Sequence, residues 1–247
     1  MAGRNHKAKC WAVSLGDCGG KISGEHYVSG CLFPSGNVIV SGFPWCCGQS
    51  KMIGLPSLTR NLLCRQHNSR LSGLDSAMLN VFDTLRESGR LNNLRSGLRQ
   101  GSWEIKHFEL SSTLIERWFL KTLINFSFGK ELRYGDTEGA HGVPPKELVK
   151  IAFGLAGFEG LAGMYVAICP GERITMLESV SVTIFTEGDA LVCAEFSICG
   201  FRFVLSLVQE EVHEFQGSRL SHKKINLDFR VPDTNGEMAL SHSIHIR

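Results

Sequence analysis

The sequence predicts an α+β protein in two unequal parts: a small, metal-stapled unit, then a larger unit built on an antiparallel sheet. Three observations lead there. Six of the nine cysteines (Cys10, Cys18, Cys31, Cys46, Cys47 and Cys64) fall in the first sixty-four residues, a stretch rich in Gly, Ser and Pro with only short apolar runs. Such a unit buries too little apolar surface to stand without a staple. A helical period of apolar residues then runs on from Thr113. From Gly163 onward, strand-like runs divided by turn residues replace it.

Taken in order, Asn37 to Val40 reads as a short strand between the turn signals Pro34-Ser35-Gly36 and Ser41-Gly42. A helix is expected from about Asp75, with Met78, Val81, Phe82 and Leu85 on its apolar face. Residues 86–102, polar, basic and glycine-containing, read as a connection, which divides the chain into 1–85, 86–102 and 103–247. Trp103 to Leu110 is strand-like. The next helix is expected to open on a capping box of Thr113 and Glu116. Ile115, Trp118, Phe119, Thr122, Leu123 and Phe126 would form its buried face, and Glu116, Arg117, Lys121 and Asn125 its polar one. Pro144-Pro145 opens a shorter helix through Phe153. Five strand-like runs follow, with hairpin turns at Glu187-Gly188-Asp189 and Cys199-Gly200. The terminal Ser241-His242-Ser243-Ile244-His245 reads as a mobile tail.

Composition narrows the classes. The chain is 43% hydrophobic and 20% charged, with a net charge of +2. A charge that small points to no nucleic-acid partner by itself, so any such argument is local. No run of eighteen apolar residues occurs, so no membrane partner is expected, and the first ten residues lack a signal peptide's apolar core. A cytoplasmic, reducing setting follows, in which cysteines serve as thiols and metal ligands. Cys169, Cys193 and Cys199, in apolar surroundings, are expected in the core.

The chemistry-bearing residues come in sequence: Cys10, Cys18, then Glu25-His26, then Asn61, then Cys64-x2-His67-Asn68. Cys10, Cys18, Cys64 and His67 make a Cys3His donor set suited to structural Zn2+, with Cys46 or Cys47 as an alternative to one of them. Phosphodiester hydrolysis needs an activated water, a Lewis acid and a base titrating near neutrality. His26 offers the base. Glu25 and Asn68 offer hard oxygens for Mg2+ or Mn2+. Asn61 offers an amide carbonyl to hold the imidazole.

In Cys18, Ser23-Gly24-Glu25-His26, Leu58 to Cys64 (LTRNLLC) and His67 to Asp75 (HNSRLSGLD), the chain resembles the HNH, or ββα-metal, endonuclease family over about residues 10–80. That resemblance implies a zinc-stabilised ββα unit. In it His26 would be general base, Asn61 its orienter, Glu25 and Asn68 the catalytic-metal ligands, and Cys10, Cys18, Cys64 and His67 the zinc ligands. The expected substrate is DNA, with RNA as the variant.

Arg60, Arg65, Arg70, Arg86 and Arg90, with Arg95 and Arg99 beyond, follow one another in a forty-residue stretch, and are expected to contact phosphates. The second half shows no comparable constellation. Target recognition, regulation, or contact with a second copy or a partner protein is expected of it. The alternative for the whole chain is a non-enzymatic zinc module that binds nucleic acid or a partner protein.

Overall fold

The computed structural model describes residues 9–43, 46–136, 139–168, 179–210, 214–215 and 218–247. The protein is α+β. Strand β1 (Ile22–His26) pairs antiparallel with β4 (Thr59–Cys64), and between them β2 (Asn37–Val40) and β3 (Lys51–Gly54) form a separate hairpin. β4 runs directly into helix α1 (Arg65–Arg95). Strand β5 (Lys106–Leu110) leads to α2 (Ser112–Ser127), then come β6 (Arg133–Tyr134) and the short helix α3 (Lys146–Ala152).

The larger sheet takes β7 (Gly163–Ile168), β8 (Val180–Glu187), β9 (Ala190–Ile198), β10 (Phe201–Ser206), β11 (Glu214–Phe215) and β12 (Ser218–His222), with β6 parallel to the start of β9. A three-stranded sheet orders β13 (Ile225–Pro232), β14 (Met238–Ile246) and β5, with β5 parallel to β14. One hydrophobic core joins both halves, from Cys10 and Trp11 through Trp118 and Phe119 to Ile246. Phe119 stacks on Phe196 of the large sheet, ring centroids 4.2 Å apart. Among the described residues no helix is long and apolar enough to cross a membrane.

Four expectations need correction. First, α1 begins at Arg65, not near Asp75, and ends at Arg95, so residues 86–95 are helix and not a connection. Leu71, Leu74, Met78, Leu85, Ser88, Gly89 and Leu91 are all buried along it. That packing overrides the low helix propensity of Ser69, Ser72 and Gly73. Second, Ser111 caps α2: its hydroxyl accepts from Leu114 N, while Glu116 is buried and accepts from Met164 N of β7 at 2.8 Å. Third, the polar face of α2 is not solvated, since Glu116, Lys121 and Asn125 are buried with the apolar residues. A helix covered on all sides must match each polar group with a partner, and it does so below.

Fourth, the C-terminal residues form the central strand of a sheet. His242 is wholly buried between Phe229, stacked at 4.7 Å, and Phe108. Ser88 lies 2.7 Å from its Nε2 and Ser241 lies 3.0 Å from its Nδ1. Serines and histidines hid this strand because its hydroxyls satisfy the imidazole internally. The strand expected at MYVAIC ends at Ile168, and Cys169 and His213 lie outside the described residues.

Candidate metal centre

Cys10 precedes a 3-10 turn (Val13–Leu15), Cys18 follows it, Cys64 ends β4, and His67 stands in the first turn of α1. Their ligand atoms lie within 4.8 Å of one another. His67 Nδ1 is 3.3 Å from Cys10 Sγ, 3.3 Å from Cys64 Sγ and 3.7 Å from Cys18 Sγ. Tetrahedral zinc, with bonds of about 2.3 Å to sulfur and 2.0–2.1 Å to nitrogen, sets such N···S pairs about 3.5 Å apart. The donors therefore fit the ion. Cys46, which points to Val40 O, and Cys47 stay outside the cluster.

The backbone shapes this knot. Cys64 N donates to Cys10 Sγ at 3.3 Å, Arg65 N to Lys21 O and Gln66 N to Gly19 O, so the β4–α1 joint is tied to both cysteine-bearing segments. Gly20, at a φ of +74°, makes the turn between Cys18 and β1. Burial pushes the Cys10 thiol up to about 12. A bound metal would displace that proton, because thiolate is the ligating form.

His67 is fully buried and its Nε2 donates to Asp17 Oδ1 at 2.7 Å. This fixes Nδ1 as the ligating nitrogen. The hydrogen bond from His67 holds the Asp17 carboxyl below its ordinary range, with the charges of His67 and Arg70 adding to it. Arg70 reaches the other Asp17 oxygen at 2.7 Å and lies over the Phe153 ring, which also packs edge-on against His67.

The second constellation lies on the β1–β4 pair. Gly24 stands opposite Asn61 and His26 opposite Thr59, and Gly24 and His26 are two residues apart, so the register assigns His26, Thr59 and Asn61 to one face. No hydrogen bond joins Asn61 to His26, and the His26 imidazole, half-buried beside Gly30, has no partner among the described residues. Asn68, in the first turns of α1, donates through Nδ2 to Ser23 Oγ and Gly24 O, each at 3.1 Å. Its amide therefore fastens α1 to β1.

Glu25 points the other way and is 5% exposed. Lys121 of α2, itself 2% exposed, places Nζ 2.6 Å from Glu25 Oε1 and 2.8 Å from Asp75 Oδ1. Burial raises the Glu25 carboxyl above its usual range, against the opposing pull of Lys121. Ser29 Oγ donates to Asp75 and accepts from Trp118 Nε1 at 2.6 Å. Asn125 accepts from Trp11 Nε1 and donates to His26 O, both at 3.1 Å. Three residues of α2 thus complete the N-terminal unit. Sequence reasoning missed them. The only signal was the placing of Lys121 and Asn125 among the apolar residues of α2, and a second signal, the Asp75 closing the HNSRLSGLD run, carried no role.

No family model, no curated protein and no solved structure matches the chain. The site therefore stands on its own geometry, and that geometry is a Cys3His cluster able to hold a metal such as zinc.

The arginines divide. Arg95 is buried, donates to Ser241 O and Glu104 O, and faces Trp103, so it is structural and not a phosphate contact. Arg70 pairs with Asp17, Arg86 with Asp83 and Arg90 with Glu87. Arg65 is exposed. At 1.5 Å per residue, Arg65 and Arg90 stand about 37 Å apart along α1, so the series is a long stripe and not one patch at His26. Nearer the site, Lys9, Thr59, Arg60, Asn61, Leu62 and Phe128 line an open cleft of about 540 Å³. Arg60 donates to Phe128 O at 3.0 Å, and burial, then the Arg60 charge, lower the Lys130 ammonium.

Proposed function

We propose that the chain is a zinc-stabilised HNH-type endonuclease acting on DNA phosphodiesters, with RNA as the variant substrate. One arrangement carries the reading. Antiparallel β1 and β4 run into α1 with the zinc donors at the strand–helix joint, while Glu25-His26 ends β1 and Asn68 bonds back onto it. The free ring nitrogen of His26 suits it to take a proton from an attacking water. Lys9 and Arg60, in the cleft shared with Asn61, suit the phosphate.

Mg2+ or Mn2+ is the cation this chemistry takes, supplying Lewis acidity to the phosphate. Glu25 and Asn68 do not fit it as they stand. Glu25 is tied to Lys121, and the Asn68 amide is committed to the β1 backbone. The same ion pair favours a second reading, a zinc module without catalysis, in which Lys121 simply neutralises buried carboxylates. Incubating the zinc-loaded full chain with supercoiled plasmid, single-stranded DNA and RNA in Mg2+ or Mn2+ separates the two. Metal-dependent cleavage supports the enzyme, and intact substrates throughout support the module. Residues 1–100 alone are the wrong reagent, because they lack Trp118, Lys121 and Asn125.

A further inference from the structure

We propose that Glu25 and Asp75 form a divalent-cation site whose present occupant is the ammonium of Lys121, so that Mg2+ or Mn2+ enters only where that side chain leaves. The inference rests on the nuclease reading for the cation's purpose, and on geometry alone for the site.

Two carboxylates from different elements, β1 and α1, converge on a single nitrogen at 2.6 and 2.8 Å. Hard divalent cations take carboxylate oxygens from such converging pairs. The charges do not balance around the ammonium: two ionised carboxylates against one positive charge leave the cluster one charge short, and a divalent ion would close that gap. The second oxygen of Glu25 has no hydrogen-bond partner among the described residues, yet it is not a sealed, orphaned atom, so it is free for a further ligand bond. The surrounding shell is already built. Ser29 and Trp118 hold Asp75 in orientation, and the β1–β4 ladder holds Glu25. Partner groups that fix carboxylates in this way are the usual second layer of a metal site.

Lys121 is a costly choice if packing were its only purpose. An ammonium is strongly hydrated and loses that hydration when buried, and apolar Trp118, Leu120 and Ile124 surround it on the same helix. Because it comes from α2, the second half of the chain governs access to the cation site in the first half. The charged groups facing it are Glu25, Asp75 and, within electrostatic reach of Glu25, His26.

The test is Mn2+ binding to zinc-loaded protein, read from the loss of the free-ion electron paramagnetic resonance signal, which needs no nuclease activity. Wild type is expected to bind no tight Mn2+. Lys121→Met should gain one Mn2+ per chain, and adding Asp75→Asn should remove it again, with zinc content unchanged throughout. Tight Mn2+ binding by wild type, or a folded Lys121→Met that binds no more than wild type, overturns the proposal. If Lys121→Met does not fold alone, its melting transition should return with Mn2+ and not with Na+ at equal ionic strength, since a ligand specific for the folded state stabilises it. A variant that stays unfolded at every Mn2+ concentration also overturns it. Failure to cut DNA bears on the nuclease reading and leaves these binding results intact.

Discussion

The zinc knot and the Glu25–Lys121–Asp75 cluster lie at opposite ends of the same short strand pair, and they are built on opposite principles. The knot draws on donors no more than fifty-seven positions apart, all of types that bind zinc, with one carboxylate behind the histidine. Each donor is useless without the ion. The charged cluster draws on β1, α1 and α2, and brings its own cation. It is satisfied as it stands. A metal site made of soft ligands needs its metal in order to fold, whereas one made of carboxylates can be neutralised by a lysine and wait.

The first way to break this comparison should have the largest effect. Cys64→Ser removes a zinc ligand from the β4–α1 joint. Structural zinc contributes an apparent 10–16 kcal/mol or thereabouts, roughly as much as a whole domain's net stability. Metal analysis should show zinc lost, and circular dichroism should show the N-terminal unit unfolded. A well-folded, zinc-free variant would remove the knot from the account.

Lys121→Met should cost less, on the order of 3–5 kcal/mol, because it leaves two carboxylates buried without their cation. Denaturant unfolding measures this, and zinc should remain bound in the folded fraction. No measurable destabilisation would show that Glu25 and Asp75 are solvated in solution.

A third effect sharpens the contrast from outside both sites. Burial, then the charge of Arg95, depress His242 from 6.5 to about 4. Its folded-state value lies below its unfolded one, so between those values the unfolded chain takes up a proton that the folded chain refuses. Stability should therefore fall as pH drops from about 6.5 towards 4, by up to about 3 kcal/mol, with no contribution above that window. His242→Phe should flatten the profile if it folds. An unchanged profile in a folded variant would mean that other groups set it.

The smallest effect is expected at Asp17. Asp17→Asn weakens the partner that fixes the His67 tautomer, and second-layer changes of this kind lower metal affinity by about 10–100-fold. Competition with a chromogenic chelator reads this directly. Unaltered affinity would make Asp17 merely an ion-pair partner of Arg70.

How much of this was legible follows from the same contrast. Cys10, Cys18, Cys64 and His67 were readable because their residue types declare their chemistry and a short motif held two of them. Strands β7 to β10 and the turns at Gly188 and Gly200 were readable by alternation and punctuation. Lys121 was not readable, because its helical position says only that it is one turn from Trp118 and one from Asn125. That all three point into the N-terminal unit depends on how α2 lies against β1, which no local pattern encodes. His242 failed for a related reason. Its partner Ser88 is on α1, 154 positions away, and a buried imidazole flanked by hydroxyls looks, in one dimension, like a polar tail. Arg95 reads as one more basic residue until β14 arrives to accept its hydrogen bond.

The central claim, that His26 acts as a base in a phosphodiesterase, is tested most directly by plasmid nicking. Zinc-loaded wild type and His26→Ala would be compared in Mg2+ and Mn2+, with zinc content and melting recorded for each. His26 makes no side-chain hydrogen bond among the described residues, so its loss should leave fold and zinc intact while slowing cleavage by about a hundredfold or more. Equal rates for the two proteins, or no cleavage of any DNA or RNA by wild type, would contradict the account.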